Sequence, residues 1–184
     1  MNTNKQEAAN MPIPKNEFDK VIFLDIEGVI VTHRSIIVQH DDASGERYHG
    51  GRAGWHRFID NIAMGLVYKL AHDFNARIVL TSTLRGMFET IPGLWAVAPH
   101  WCKDPTEYVA TAHTEFLDTR EAGITKFVKD FGVRKYVVFD DTHLTCPNFI
   151  RCKPSNGIDY SVYQDAKPFL AEDEETLQYE AIFL

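Results

Sequence analysis

Cysteine is scarce in this chain. Cys102, Cys146 and Cys152 are the whole complement, odd in number and without a C-x-x-C spacing. That argues against a disulfide framework and for a reducing cytosol. A zinc site would have to be drawn from His100, Cys102, His143, Cys146 and Cys152, whose spacings match no familiar ligand pattern; small buried thiols are the simpler reading. Long apolar runs are missing too, so no segment approaches membrane-spanning length. The first residues, "MNTNKQEAANMPIPKNEF", have no apolar centre and read as neither a signal peptide nor an anchor. Positive charge is in short supply: 19 Lys and Arg against 26 Asp and Glu give a formal net charge of −7. A surface that coats polyanions is therefore disfavoured, although a local cationic pocket is not. There is no internal repeat and no low-complexity tract.

What is present is an ordinary globular composition, 45% hydrophobic and 24% charged over 184 residues. That length suits one domain. Polar residues and prolines make residues 1–17 a flexible arm, and residues 18–184 are expected to fold as a single domain with a small flap insertion around 31–54. Three runs, "KVIFLDI", "ARIVLTS" and "KYVVFDD", are short, continuous and β-branched, the pattern of strands buried on both faces. Between them lie helical spacings. Phe58, Ile62, Leu66, Leu70 and Phe74 recur four apart within Trp55 to Phe74, and Ile124, Phe127, Val128 and Phe131 do so before Gly132, a candidate helix stop. "LWAVAP" and "NFIRC" are candidate edge strands, and a further helix is expected from Tyr160 to Leu170. Strand, helix, strand, helix, strand implies an α/β fold with a mostly parallel central sheet and crossover helices.

All three confident strands end in reactive groups: Asp25 and Glu27, then Thr81, Ser82 and Thr83, then Asp140 and Asp141. In an open parallel sheet the carboxyl ends of the strands share one edge, where ligands bind. Gathered acids repel one another unless a cation sits among them, and hard oxygen donors favour Mg²⁺. Carboxylates around Mg²⁺ with hydroxyls alongside suit phosphoryl transfer, and one carboxylate can be the nucleophile. Each group also has a plainer reading. Asp25 with Glu27, or Asp140 with Asp141, would do as turn residues; Thr81 to Thr83 would do as a helix cap.

"FLDIEGV", then "IVLTSTLR", then Arg120, then "YVVFDD" resemble the four ordered motifs of the haloacid dehalogenase-like (HAD) phosphohydrolases over roughly Lys20 to Leu170. The second and fourth motifs look most like small HAD proteins of phage and bacterial type, including HAD domains associated with RNA repair. The resemblance implies a Rossmannoid three-layer sandwich with a minimal cap. It implies Asp25 as the nucleophile that becomes an aspartyl phosphate, and Glu27 as the general acid/base whose backbone carbonyl helps bind Mg²⁺. Ser82 or Thr81 would hold a phosphoryl oxygen. Arg120 takes the cationic third-motif position, with Lys126 as the alternative. Asp141, with Asp140 beside it, would bind the metal. Thr83, Arg85 and Gly28 are the candidate substrate contacts.

Two positions depart from the family pattern: Arg replaces Lys at 120, and Glu replaces Asp at 27, longer by one methylene. The expected activity is a Mg²⁺-dependent phosphomonoesterase. The short insertions leave its site open to nucleotides or nucleic-acid phosphate ends as well as phosphorylated small molecules. The competing expectation is a catalytically weak HAD-like protein that binds a phosphorylated ligand or partner. A phosphotransferase or dehalogenase on the same fold is a third reading. His33, Arg34, Arg47, His49, Arg52 and His56 form the candidate cationic patch, and Trp95, His100 and Trp101 a candidate aromatic cluster.

Overall fold

The structure is a computed structural model, and it describes residues 15–39, 55–86 and 90–172. Five strands form one sheet: β1 (Lys20–Leu24), β2 (Arg77–Leu80), β3 (Val109–His113), β4 (Lys135–Asp140) and β5 (Phe149–Arg151). Their order is β3-β2-β1-β4-β5, and every pairing is parallel. Five helices accompany them: α1 (His33–Gln39), α2 (Asn61–Phe74), α3 (Thr90–Ala96), α4 (Arg120–Phe131) and α5 (Tyr160–Leu170). This is the α/β sandwich around a parallel sheet that the order of strands and helices implied.

Strand side chains alternate between the two faces of the sheet, and each face has its own apolar layer. Ile22, Leu24, Ile78, Leu80, Val137 and Phe139 meet α2 and α5 on one side. Val21, Phe23, Val79 and Val138 meet Ile124 and Phe127 of α4 on the other. Phe127 packs edge-on against both Phe18 and Phe23, with centroids 5.2 and 5.6 Å away. Because the central strands are covered on both sides, they read as continuous apolar runs.

The helix expected from Trp55 is interrupted. Trp55–Phe58 is a short 3-10 turn, and α2 proper begins after Asp60, whose carboxylate accepts from the backbone N–H groups of Ile62 and Ala63. The buried stripe is Ala63, Met64, Val67, Tyr68, Leu70, Ala71 and Phe74; Ile62, expected inside, is 66% exposed. A strict four-residue spacing drifts about 40° around the helix per step, so positions at the two ends of such a row face different ways. "LWAVAP" is not a strand: it overlaps α3, whose Pro92 sits in the first turn where a missing N–H costs nothing. The edge strand is instead β3, "VATAH", its last three residues only partly covered. α4, with Gly132 in the left-handed conformation as its C-cap, β5 and α5 lie where expected. The segment expected as a small flap insertion includes α1, and residues 40–54 of it fall outside the described residues, as does the arm before Lys15.

Candidate active site

The backbone ladder carries past the strand ends and holds the polar residues in register. Asp25 N–H donates to Phe139 O at 3.0 Å, Thr81 N–H to Leu24 O at 3.0 Å and Cys152 N–H to Asp140 O at 2.8 Å. Asp25, Thr81 and Asp140 therefore sit side by side at the carboxyl edge. Ligand oxygens of Asp25, Asp140 and Asp141 all lie within 4.8 Å of one another, Asp25 and Asp140 buried and Asp141 partly open.

Arg120 stands among them. Thr119 caps α4 by accepting from Ala122 N–H, which makes Arg120 the first helical residue and turns its side chain back towards the strand ends. Its Nη1 lies 2.9 Å from Asp25 Oδ2 and also pairs with Asp140 Oδ2. Burial disfavours the guanidinium charge, but Asp25 and Asp140 outweigh that and raise its pKa further. Lys126, the alternative, pairs with Glu115 and Asp130 on the outer side of α4. The other oxygen of Asp140 accepts from Thr142 N–H at 2.9 Å and from the Thr142 hydroxyl at 2.6 Å, which fixes its plane.

Burial pushes the Asp25 carboxyl up to about 6; Arg120 opposes the rise, Asp140 adds to it, and bonds from Ile26 N–H and Ser82 lower it again. Asp141 is raised as well, by burial and by Asp140. Three carboxylates against the one guanidinium that pairs with them leave a formal charge of −2 among the described residues. A divalent cation with hard-oxygen preference fits that donor set and that charge. Glu27 is partly buried and its carboxylate is outside the group of three.

Gly28 has a structural reason of its own. Its φ is +74°, and a Cβ at this position would fall 2.5 Å from Asp141 Oδ2. Glycine is what lets the turn after β1 and the Asp141 carboxylate share the space.

On the β2 side Ser82 is buried, accepts from Leu84 N–H at 3.3 Å, and helps to lower the Asp25 pKa. The Thr81 hydroxyl is buried without any hydrogen-bond partner, an arrangement that normally costs stability. A phosphoryl oxygen would satisfy it. Thr83 is exposed at the start of a 3-10 turn. Arg85, expected as a substrate contact, has another job. Its Nε donates to Thr114 O at 2.8 Å, Nη1 to Thr81 O at 2.8 Å and Ser82 O at 2.6 Å, and Nη2 to Glu115 O at 3.1 Å. Four carbonyls hold the guanidinium against the backbone, so it positions the loops after β2 and β3.

A family model described as the HAD domain in Swiss Army Knife RNA repair proteins matches residues 21–161. The chain belongs to this family. No curated protein and no solved structure gives a match. The match spans all five strands of this HAD domain and both acidic strand ends, and membership points to phosphohydrolase-type chemistry at the edge just described.

Other expected groups do not join the site. Arg34 is committed to Asp60, its Nε donating to Oδ2 at 3.0 Å; His33 is exposed, and His56 Nδ1 is buried without a partner. Arg47, His49 and Arg52 lie outside the described residues. Trp95 packs against the core, Trp101 packs against His72, and His100 is exposed. The three cysteines are free, and among the described residues no His and Cys group gathers as a zinc site would require. No helix of the described residues is long and apolar enough to cross a membrane.

Proposed function

We propose that this HAD domain is a Mg²⁺-dependent phosphomonoesterase that works through an aspartyl phosphate on Asp25. The observation that carries the reading is the convergence of Asp25, Asp140 and Asp141 around Arg120 at one sheet edge. A bound Mg²⁺ would be held by those three carboxylates, with the Glu27 carbonyl as a further donor, and would neutralise charge on the transferring oxygens. With its pKa near 6, Asp25 is mainly ionised at neutral pH and able to attack phosphorus. Arg120 balances that carboxylate and meets the incoming phosphoryl group as its fixed cationic neighbour. The Thr81 and Ser82 hydroxyls receive phosphoryl oxygens. Glu27 protonates the departing oxygen, then takes the proton of the water that cleaves the aspartyl phosphate.

The family description, with its reference to RNA repair, favours a phosphate carried on a nucleotide or nucleic-acid end. The test is phosphate release with and without Mg²⁺ on phosphomonoesters, nucleotides and phosphorylated oligonucleotides, with Asp25→Asn as control. Release that persists in the variant would sink the proposal.

One observation favours a second reading, a phosphate-binding protein with little turnover: the acid at position 27 is a glutamate, one methylene longer than the aspartate of the family pattern. In that case Mg²⁺ raises the melting temperature, no substrate turns over, and Glu27→Asp restores activity.

A further inference from the structure

The loop between β3 and α4 places two apolar side chains in solvent beside the site. Phe116 is 59% exposed and Leu117 43%. The backbone just before them is pinned. Thr114 N–H donates to Leu80 O at 3.1 Å, Arg85 donates to Thr114 O and Glu115 O, and the Glu115 carboxylate pairs with Lys126 at 2.8 Å. An exposed Phe on a wandering loop would mean nothing. Here the loop is held from both sides, and the ring rests on a fixed base: the Arg85 carbon between the guanidinium nitrogens lies 3.7 Å from its centroid. Gly86 gives the ring room, since a Cβ there would come within 3.2 Å of Phe116 Cε2. The same guanidinium donates to the carbonyls of Thr81 and Ser82. One guanidinium thus separates the ring from the backbone of the two hydroxyl residues proposed to receive phosphate. One face of Phe116 is covered by Arg85, and much of the remaining ring surface is open.

From this juxtaposition we infer that Phe116 is a stacking platform for the base of a nucleoside phosphate whose phosphate enters the site at Asp25. The inference rests on the phosphate-site reading above and adds where the base of such a substrate binds. The chemistry fits an aromatic heterocycle better than an alkyl or sugar group. A flat ring, rigid and already polarised by the cation behind it, offers a π face that accepts any base. The platform is ordered before the ligand arrives, so little conformational entropy is lost on stacking. Purines, with the larger ring, stack more extensively than pyrimidines, and the selectivity is for a base over none rather than for one sequence.

The test is binding, measured by calorimetry in Mg²⁺ on the full chain: adenosine 5′-monophosphate against ribose 5-phosphate, which carries the same phosphate and sugar without a base. The expected preference for the nucleotide is at least about fivefold, the lower end of what a base stacked on an aromatic ring contributes. Phe116→Ala should bring the ratio to about one, and Phe116→Trp should keep or raise it. Phe116→Leu separates stacking from mere cover over Arg85: it shields the guanidinium but has no π face, so it too should lose the ratio. Short single-stranded oligonucleotides with and without a terminal phosphate then distinguish a free nucleotide from a nucleic-acid end, by whichever binds tighter. Equal affinity for nucleotide and ribose phosphate in the unaltered protein, or a ratio that survives in the Leu variant, would overturn the inference. An apolar protein partner would be the remaining use for the exposed ring. Repeated in the Asp25→Asn background, where the nucleotide is not consumed, the ratio of affinities reads binding alone. Absence of hydrolysis would count against the phosphatase reading alone.

Discussion

At the scale of single residues the site is a balance of charges that burial makes costly. Asp25 has a folded pKa of about 6 against an ordinary 3.8, so ionising it is harder in the fold than in the unfolded chain. Replacing it by Asn should therefore act in opposite directions on two measurements. Phosphatase turnover should drop by about a thousandfold or more, because the nucleophile is gone. Thermal stability without metal should rise, by up to about 3 kcal/mol for a shift of about two units, because a strained buried charge is gone. A variant that lost both would have lost the fold instead. Gly28→Ala is the steric counterpart. The positive φ costs about 1–2 kcal/mol for a side chain, and the Cβ would displace Asp141. Mg²⁺ affinity measured by titration calorimetry should fall together with stability. Both roles are visible in the sequence only as "D-x-E-G"; the overlap of position 28 with Asp141 joins residues 113 positions apart in the chain and has no local signal.

At the scale of elements, the acids, hydroxyls and Arg120 are placed by the ends of strands and the start of one helix, and those ends are held by bonds made away from the chemistry. Arg85 ties the loop after β2 to the loop after β3 through four carbonyls. Lysine at that position has one ammonium group and cannot reproduce the planar fork. Arg85→Lys should lower the melting temperature and reduce kcat by about tenfold or more through misplacement of Thr81 and Ser82, checked by thermal unfolding and steady-state kinetics. Asp60 holds the other flank. It caps α2, accepts from Arg34 and from the Thr32 hydroxyl, and is buried. Asp60→Ala should cost about 2 kcal/mol in denaturant unfolding, as a lost cap plus a lost ion pair, with a smaller effect on the site than Arg85→Lys. Element type was legible where periodicity and caps agreed, as for α4 with Thr119 and Gly132. It was misread where a short apolar run had two solutions. "LWAVAP" instead holds the last turn of α3, Leu94 to Ala96, and the turn that follows it, while β3, rich in Ala and Thr and only half covered, carried too little apolar signal to be seen.

At the scale of the whole molecule, metal, proton and fold are linked. The Asp25 pKa is raised on folding, so its contribution to stability without metal is most favourable below about pH 4 and is lost as pH rises through about 6. Mg²⁺ binds the ionised form, so the rise in melting temperature on adding Mg²⁺ should be larger at pH 7 than at pH 5. Thermal unfolding at both values with and without Mg²⁺ checks this, and an equal rise at both would mean that Asp25 is not among the ligands. The sequence by itself determined the class of fold and the order of its parts, because buried parallel strands leave continuous apolar runs and each confident run ends in its own polar signature. It also singled out the residues that the sheet edge gathers: Asp25, Thr81, Ser82, Arg120, Asp140 and Asp141. The tertiary structure alone decided what each of them touches. It committed Arg85 to backbone carbonyls, left the Thr81 hydroxyl without a partner and set Phe116 on a guanidinium from another loop. The reason is physical: periodicity records which face of an element is buried, whereas a hydrogen bond or a stacked ring depends on which loops meet across the sheet edge, and that is fixed only when the strands are in register.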